Sequence, residues 1–190
     1  MSNLSLYSVN AILILDNHGN RIYSKYYKPP HLNNVITDSL FDNIKKQKEF
    51  EQKLFKKTHK QDSEILIFEN NIILYKEYID VTIYLVGNIN ENEIILQNAF
   101  SGFKGSMELL LNNGIDNKNV SENCDLVYLL IDEIIDNGVI LETDPASIAS
   151  RVTKQPTSDT LNQTLDLDKG LLGAWGFAKS KLQERLQQGL

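Results

Sequence analysis

The first thirty residues carry the apolar pattern of two paired strands. Within residues 7–15 the apolar side chains occupy both alternating faces, which indicates a strand that is covered on both sides. A polar turn at residues 16–20 separates this run from an alternating one at residues 21–27. The pattern predicts a β-hairpin that ends before Pro29 and Pro30, because proline cannot donate to a sheet.

Helical and strand patterns then alternate along the chain. Apolar residues at helical spacing predict a helix that Asn33 or Asn34 caps and that runs to about Thr58. Three β-rich runs, at residues 64–68, 72–78 and 81–87, predict an antiparallel meander. Two helices follow, at about residues 94–111 and 120–137. The order ββαβββαα predicts an α+β fold, with one five-stranded antiparallel sheet and helices on both faces.

The character of the chain changes after the last of these patterns. Residues 1–152 hold the predicted domain, and residues 153–168 are polar and include Pro156, which is typical of a linker. Residues 169–190 return to helical spacing around Trp175. Three glycines weaken a helix there by up to about 1 kcal/mol each. We therefore expect an amphipathic C-terminal tail helix that docks on another surface.

Charge and composition narrow the classes of function. The net charge is −6 over 190 residues, which argues against binding nucleic acid by neutralising phosphates. One cysteine, Cys124, cannot form an internal disulfide, and this fits a reducing compartment. The N-terminus lacks the basic flank of a signal peptide, and no apolar run reaches the roughly 18 residues of a membrane span. We expect a cytoplasmic protein.

The polar residues form no catalytic or metal-binding constellation. His18, His31 and His59 lie in separate segments, without the spacing of metal ligands. A glycine-rich stretch at residues 101–106 lacks the spacing of a phosphate-binding loop and lies inside a helical pattern. We interpret its glycines as sites of close helix packing. The sequence thus predicts no enzymatic activity, no cofactor and no metal.

A lysine-rich segment stands out in this acidic chain. Residues 45–60 hold seven lysines against two glutamates. Such a run is typical of a solvated helix face, but it also fits contact with anionic lipid headgroups or an acidic partner. The lysines that we name for this contact are Lys45, Lys46, Lys53, Lys56 and Lys57.

The last predicted helix is more apolar than one buried face requires. Leucines at positions 126, 129 and 130 widen its apolar stripe beyond the roughly 100° of an ordinary surface helix. Two interpretations stay open, a helix buried within its own domain and a surface for a partner. The residues that we predict for a partner surface are Leu126, Leu129, Leu130, Ile134, Ile135, Val139, Ile140 and Leu141.

Two segments carry a family resemblance. Residues 132–145 read DEIIDNGVILETDP, and residues 9–23 combine a hydrophobic strand, an Asp-x-x-Gly turn and Arg-Ile-Tyr. Together they resemble the small subunits of vesicle coats, the clathrin-adaptor sigma chains and coatomer zeta chains, over residues 7–150. The resemblance implies a longin-like domain that pairs obligately with the trunk of the large gamma subunit of coatomer (COPI).

The resemblance also implies a role. Such a chain is a structural, non-enzymatic subunit of a coat that an Arf-type small GTPase recruits to Golgi membranes, for retrograde Golgi-to-ER and intra-Golgi transport. It would be cytoplasmic, peripheral on Golgi membranes and coated vesicles, and in contact with other coatomer subunits. The alternative hypothesis is a free-standing longin-type regulatory or peripheral membrane-binding module, with the lysine-rich helix on lipid.

Overall fold

A computed structural model describes residues 6–28, 43–61, 63–112 and 114–153 of the chain. The strands are β1 (Val9–Asp16), β2 (Arg21–Tyr26), β3 (Ile65–Phe68), β4 (Asn71–Glu77), β5 (Val81–Asn88), β6 (Ile135–Asp136) and β7 (Val139–Ile140). The helices are α1 (Ile44–Thr58), α2 (Glu93–Leu110), α3 (Asn117–Glu122), α4 (Cys124–Ile134) and α5 (Pro145–Thr153).

The first five strands form one antiparallel sheet in the order β2-β1-β5-β4-β3, and β6 and β7 form a separate hairpin. Strand β1 lies between β2 and β5 and is buried on both faces, as its two-sided apolar pattern predicted. Leu13 of β1 packs with Phe50 and Leu54 of α1, whereas Ile12 and Ile14 belong to the core beneath α2, α4 and α5. The predicted α+β fold, with helices on both faces of a five-stranded sheet, is confirmed.

Helix α1 begins later than the sequence predicted. Asn43 has an extended backbone (φ −122°), and its side chain accepts a hydrogen bond from the backbone N–H of Lys45, so it is the N-cap. The predicted start at Asn33 or Asn34 is therefore wrong for this helix. Those two residues lie outside the described part of the chain.

Helix α2 packs against the segment that leads into α5. A Cβ added at Gly102 would lie 2.5 Å from the carbonyl oxygen of Thr143, and one at Gly105 would lie 2.8 Å from the ring of Pro145. Only glycine lets the two segments approach this closely. The interpretation of the glycine-rich stretch as a packing site is confirmed.

The predicted helix over residues 120–137 is divided in the structure. The chain leaves helical geometry at Asn123, α4 ends at Ile134, and Asn137 and Gly138 form a hairpin turn with positive φ values of 49° and 88°. Asn-Gly is the favoured pair for such a turn. The predicted helix ran to residue 137, whereas here Asn137 and Gly138 close the β6–β7 hairpin.

The other sequence predictions concern the far end of the chain. Residue 153 ends the last described helix, so residues 154–168 of the predicted linker and the predicted tail helix at residues 169–190 lie outside the described residues. Among the helices that are described, none is both long enough and apolar enough to span a bilayer.

Candidate functional site

Helix α4 and the hairpin after it carry the residues that we predicted for a partner surface. Four apolar side chains at helical spacing, Val127, Leu130, Ile131 and Ile134, are buried on the sheet side of α4. Asp125 lies in the first turn, where a negative charge is favourable against the helix dipole. Because this buried face fixes the rotation of α4, the remaining side chains of the helix face outwards or towards its neighbours.

The predicted surface residues divide into two sets. Leu130, Ile134 and Ile135 are 0% exposed and belong to the core of the domain. They do not form a surface, because the sheet and the other helices already cover them. For these three residues the structure agrees with the other interpretation that the sequence left open, burial within the domain.

The other five residues reach the surface. Leu129 is 53% exposed and Leu141 is 57% exposed, and Leu126, Val139 and Ile140 are half-buried. We call these five residues the α4 surface. Tyr128, 43% exposed, lies beside Leu129 and was not among the predicted residues, although its position in an over-wide apolar stripe could have indicated it.

The hairpin fixes the position of the last part of this surface. The backbone N–H of Val9 donates to the carbonyl of Gly138 (3.1 Å), and a Cβ at Gly138 would lie 2.7 Å from the carbonyl oxygen of Val9. The N–H of Leu141 donates to the carbonyl of Ile134 (2.8 Å). These bonds hold Leu141 next to the last turn of α4, so the exposed residues of helix and hairpin lie on the same side of the sheet.

Charged side chains lie beside the apolar part of this region. Arg151 of α5 contacts Glu133 of α4 at 3.6 Å and Glu142 at 3.1 Å. Backbone N–H groups of Asp144 and Thr143 hold the pKa of Glu142 below its usual value, so this carboxylate stays charged at neutral pH. An apolar centre with a charged rim is the usual composition of a protein interface.

An aromatic pair holds α4 over the edge of the sheet. The ring of Tyr128 stacks on that of Tyr23 of β2, with centroids 4.8 Å apart, and Lys25 of β2 forms a salt bridge with Asp132 of α4. Burial raises the pKa of Tyr23 to about 12, and the negative charge of Asp132 adds to the effect. Tyr23 is therefore neutral at physiological pH and packs as an aromatic residue.

Helix α5, which the sequence analysis missed, supports the same region. Asp144 caps it by accepting from the N–H of Ser147 (2.8 Å), which lowers the pKa of Asp144, and Pro145 is its first residue. An Asp-Pro pair in these positions is a known start signal for a helix. Ile148 of α5 is fully buried in the same core as α4, so α5 closes this side of the domain.

The predicted lysine contacts lie elsewhere. Lys45, Lys46, Lys53, Lys56 and Lys57 are all exposed on α1, which packs on the opposite face of the sheet from α4. The structure thus keeps the two sets of predicted contact residues apart. Within the described ranges no cluster of three or more His, Cys, Asp or Glu side chains is arranged to hold a metal ion.

Comparison with known proteins agrees with this architecture. The family model for the clathrin adaptor complex small chain matches residues 8–159. Coatomer subunit zeta of Saccharomyces cerevisiae is 65% identical over the whole of both chains, and coatomer subunit zeta-1 of Homo sapiens is 38% identical over 87% of this chain and 90% of that one.

A solved structure supports the fold alone. A chain described as "Homology model of the full-length AP-3 complex in a stretched open conformation" aligns with a TM-score of 0.56 at 17% identity, over 85% of this chain and 98% of that chain. The assignment to a group within the family rests on the sequence relatives. The chain belongs to the clathrin adaptor complex small chain family and, within it, to the coatomer zeta subunits.

Proposed function

We propose that this chain is a non-enzymatic structural subunit of the coatomer (COPI) vesicle coat and that it pairs with the trunk of the large gamma subunit. The names of its relatives, coatomer zeta subunits at up to 65% identity, support the role in a coat. Pairing with the gamma subunit is the finer part of the proposal. In the assembled coat, the other coatomer subunits and an Arf-type small GTPase would be reached through the complex, and the complex would bring the chain to the Golgi membrane.

The proposed pathway follows from the same assignment. The coat would serve retrograde Golgi-to-ER and intra-Golgi transport, and the chain would be cytoplasmic and peripheral on Golgi membranes and coated vesicles. Within the coat its contribution would be stability and shape. A large apolar interface stabilises both partners by mass action, because each binds the folded form of the other.

The observation that supports pairing through the α4 surface is the exposure of Leu129 and Leu141. Both are large aliphatic residues more than half exposed, and the bond from Leu141 to Ile134 joins the segment after the β6–β7 hairpin to the end of α4. Burying two half-exposed leucines contributes about 3 kcal/mol at the usual value per unit of apolar area. The role of the buried residues would be indirect, because they hold α4 in place within the domain. These residues are Leu130, Ile134 and Ile135.

Co-expression with the gamma trunk, followed by purification through a tag on the trunk, tests this surface. We expect a stoichiometric complex for the native chain. The double variant Leu129→Asp/Leu141→Asp should weaken it by about a hundredfold or more, since it removes about 3 kcal/mol of apolar burial and adds two carboxylates. Leu109→Asp is the matched control, because Leu109 of α2 is also 53% exposed and should leave pairing intact.

A substitution in the core answers a different question. Leu130→Asp would place an unpaired carboxylate where the native side chain is fully buried, so we expect it to unfold the domain and not to report on pairing. Circular dichroism of the Leu129→Asp/Leu141→Asp variant, expected to be native, separates the two effects. A folded double variant that still binds the trunk, or a Leu109→Asp variant that alone loses it, would show that the interface lies elsewhere.

A further inference from the structure

Among the described residues, α1 is the outermost layer on its side of the sheet. Phe50, Leu54 and Phe55 of α1 pack on the strands, and α1 is the sole described helix that contributes to this core. Its solvent side carries a set of exposed lysines that we call the lysine face. These are Lys45, Lys46, Lys48, Lys53, Lys56 and Lys57.

The acidic residues of α1 neutralise little of this face. Glu51 is buried and pairs with Arg21 of β2, so it points away from solvent. Glu49 lies among the lysines and pairs with Lys53 at 2.8 Å. Every basic residue of α1 is a lysine. A lysine ammonium acts as a mobile point charge, whereas protein carboxylates at an interface are bound more specifically by the planar fork of arginine.

The rest of the domain carries the opposite charge. Residues 114–153, which include α4 and α5 on the other side of the sheet, hold eight acidic side chains and two basic ones. The described part of the molecule therefore has a basic helix face on one side of the sheet and an acidic segment on the other. Near a negatively charged surface this asymmetry favours one orientation, with α1 towards the surface.

We propose that the lysine face docks on the anionic lipid headgroups of a membrane surface. The face is a convex helix and not a groove, which suits a broad array of headgroups better than a single peptide. Ile44 stands at the beginning of α1 with 64% of its surface exposed, next to Lys45 and Lys46. An aliphatic side chain flanked by lysines is a combination that binds at the headgroup level of a bilayer.

Vesicle flotation of the full chain tests the proposal. The vesicles are phosphatidylcholine alone, or phosphatidylcholine with about 30 mol% phosphatidylserine, a composition that gives a negative surface potential. We expect binding only to the anionic vesicles, and less binding as salt is raised. Neutralising Lys45, Lys46 and Lys56 to Gln should lower the partition coefficient on the order of a hundredfold, since each lysine contributes on the order of fivefold.

A second triple variant controls for net charge. Lys25, Lys76 and Lys118 lie in surface ion pairs on β2, β4 and α3, away from α1, and their change to Gln alters the net charge equally. This variant should keep most of the binding. Both variants should keep the native melting temperature, because exposed charges contribute little to stability.

Several results would overturn the proposal. They are equal flotation with neutral vesicles, equal losses in the two triple variants, and a lysine-face variant that binds as the native chain does. Retention on immobilised polyglutamate without any vesicle binding would assign the face to an acidic protein. Release from vesicles by inorganic phosphate, beyond the release by chloride at the same ionic strength, would assign it to free phosphate.

Discussion

The ion pair between Arg21 of β2 and Glu51 of α1 ties the lysine-bearing helix to the sheet. The guanidinium donates twice to the carboxylate, from Nε to Oε2 at 3.0 Å and from Nη2 to Oε1 at 2.6 Å. The hydroxyl of Tyr26 donates to Oε1 at 2.8 Å. The Glu51 side chain is 2% exposed, and the Arg21 side chain is 23% exposed. A carboxylate this deeply buried is tolerated because all three donors converge on it.

Replacing Glu51 with Leu should therefore destabilise the domain. Removing one partner of a buried ion pair costs about 3–5 kcal/mol, because the other charge is left without compensation. Solvent reaches part of Arg21, so we expect the lower end, about 3 kcal/mol. Glu51→Gln keeps the shape and an acceptor for Tyr26 but loses the charge, and we expect it to cost about 1–2 kcal/mol.

Urea denaturation followed by circular dichroism measures these changes. With a slope of about 2 kcal/mol per molar urea, a loss of 3 kcal/mol lowers the midpoint by about 1.5 M. The double variant Arg21→Met/Glu51→Leu removes both charges and should recover most of the loss. The double-mutant cycle should give a coupling energy of about 2 kcal/mol between the two residues.

Two outcomes would refute this reasoning. The first is a midpoint for Glu51→Leu within about 0.3 M of the native value, which at that slope means that the pair contributes well under 1 kcal/mol. The second is additivity in the cycle, which would mean that Glu51 acts through Tyr26 or through packing and not through Arg21. Either result would mean that the Arg21–Glu51 ion pair is not what holds α1 on the sheet.

Two further predictions concern packing and pH. Gly102→Ala should lower the thermal stability by about 1 kcal/mol, because the clash with the Thr143 carbonyl outweighs the gain of about 1 kcal/mol in helix propensity. Ser101→Ala, at the exposed neighbouring position, should stabilise slightly, and a stabilising Gly102→Ala would contradict the packing. Burial raises the pKa of Tyr84 to about 12, so the unfolded chain ionises first and stability falls between about pH 10 and 12. At pH 8, Tyr84→Phe should be less stable than the native chain, because the substitution removes the hydrogen bond to Thr58 (2.7 Å). Near pH 12 it should be more stable than the native chain. Urea titrations at both pH values would measure the two differences.

The sheet was predictable because its signals are local. Residues 7–15 are apolar on both faces, and this alone indicates a central strand, which β1 is. The polar turn at residues 16–20 and the three β-rich runs gave the hairpin and the meander. Strand order was not contained in any of these segments. It follows from tertiary pairing, which sets β1 beside β5.

The ends of elements were harder to predict. Asn43 caps α1, but an asparagine cap has the same sequence signal at Asn33 and Asn34, and the chosen cap depends on where the helix packs. Asn137 and Gly138 fit both a helix end and a hairpin turn. The bond from Val9 to Gly138, 129 positions apart in sequence, favours the hairpin. The start of α5 could have been predicted from Asp144 and Pro145, but the sequence patterns above did not include this helix.

The candidate surface needed the structure for a simple geometric reason. Leu129 and Leu130 are neighbours on a helix and point about 100° apart, yet one is 53% exposed and the other 0%. The width of an apolar stripe tells how much of a helix is apolar, but not which edge of the stripe its own domain covers. That edge is set by Tyr23, Val9 and α5, which come from distant parts of the chain.

The sheet separates the two surfaces that we propose, and this makes them independently testable. The lysine face lies on the α1 side, and the α4 surface lies on the other side. A membrane and a large partner could then be bound at once, because neither would cover the residues of the other. The Lys45, Lys46 and Lys56 variant should therefore pair with the gamma trunk normally, and the Leu129→Asp/Leu141→Asp variant should float with anionic vesicles as the native chain does. Loss of both activities in either variant would mean that the two surfaces are coupled through the sheet or that one of them has been misassigned.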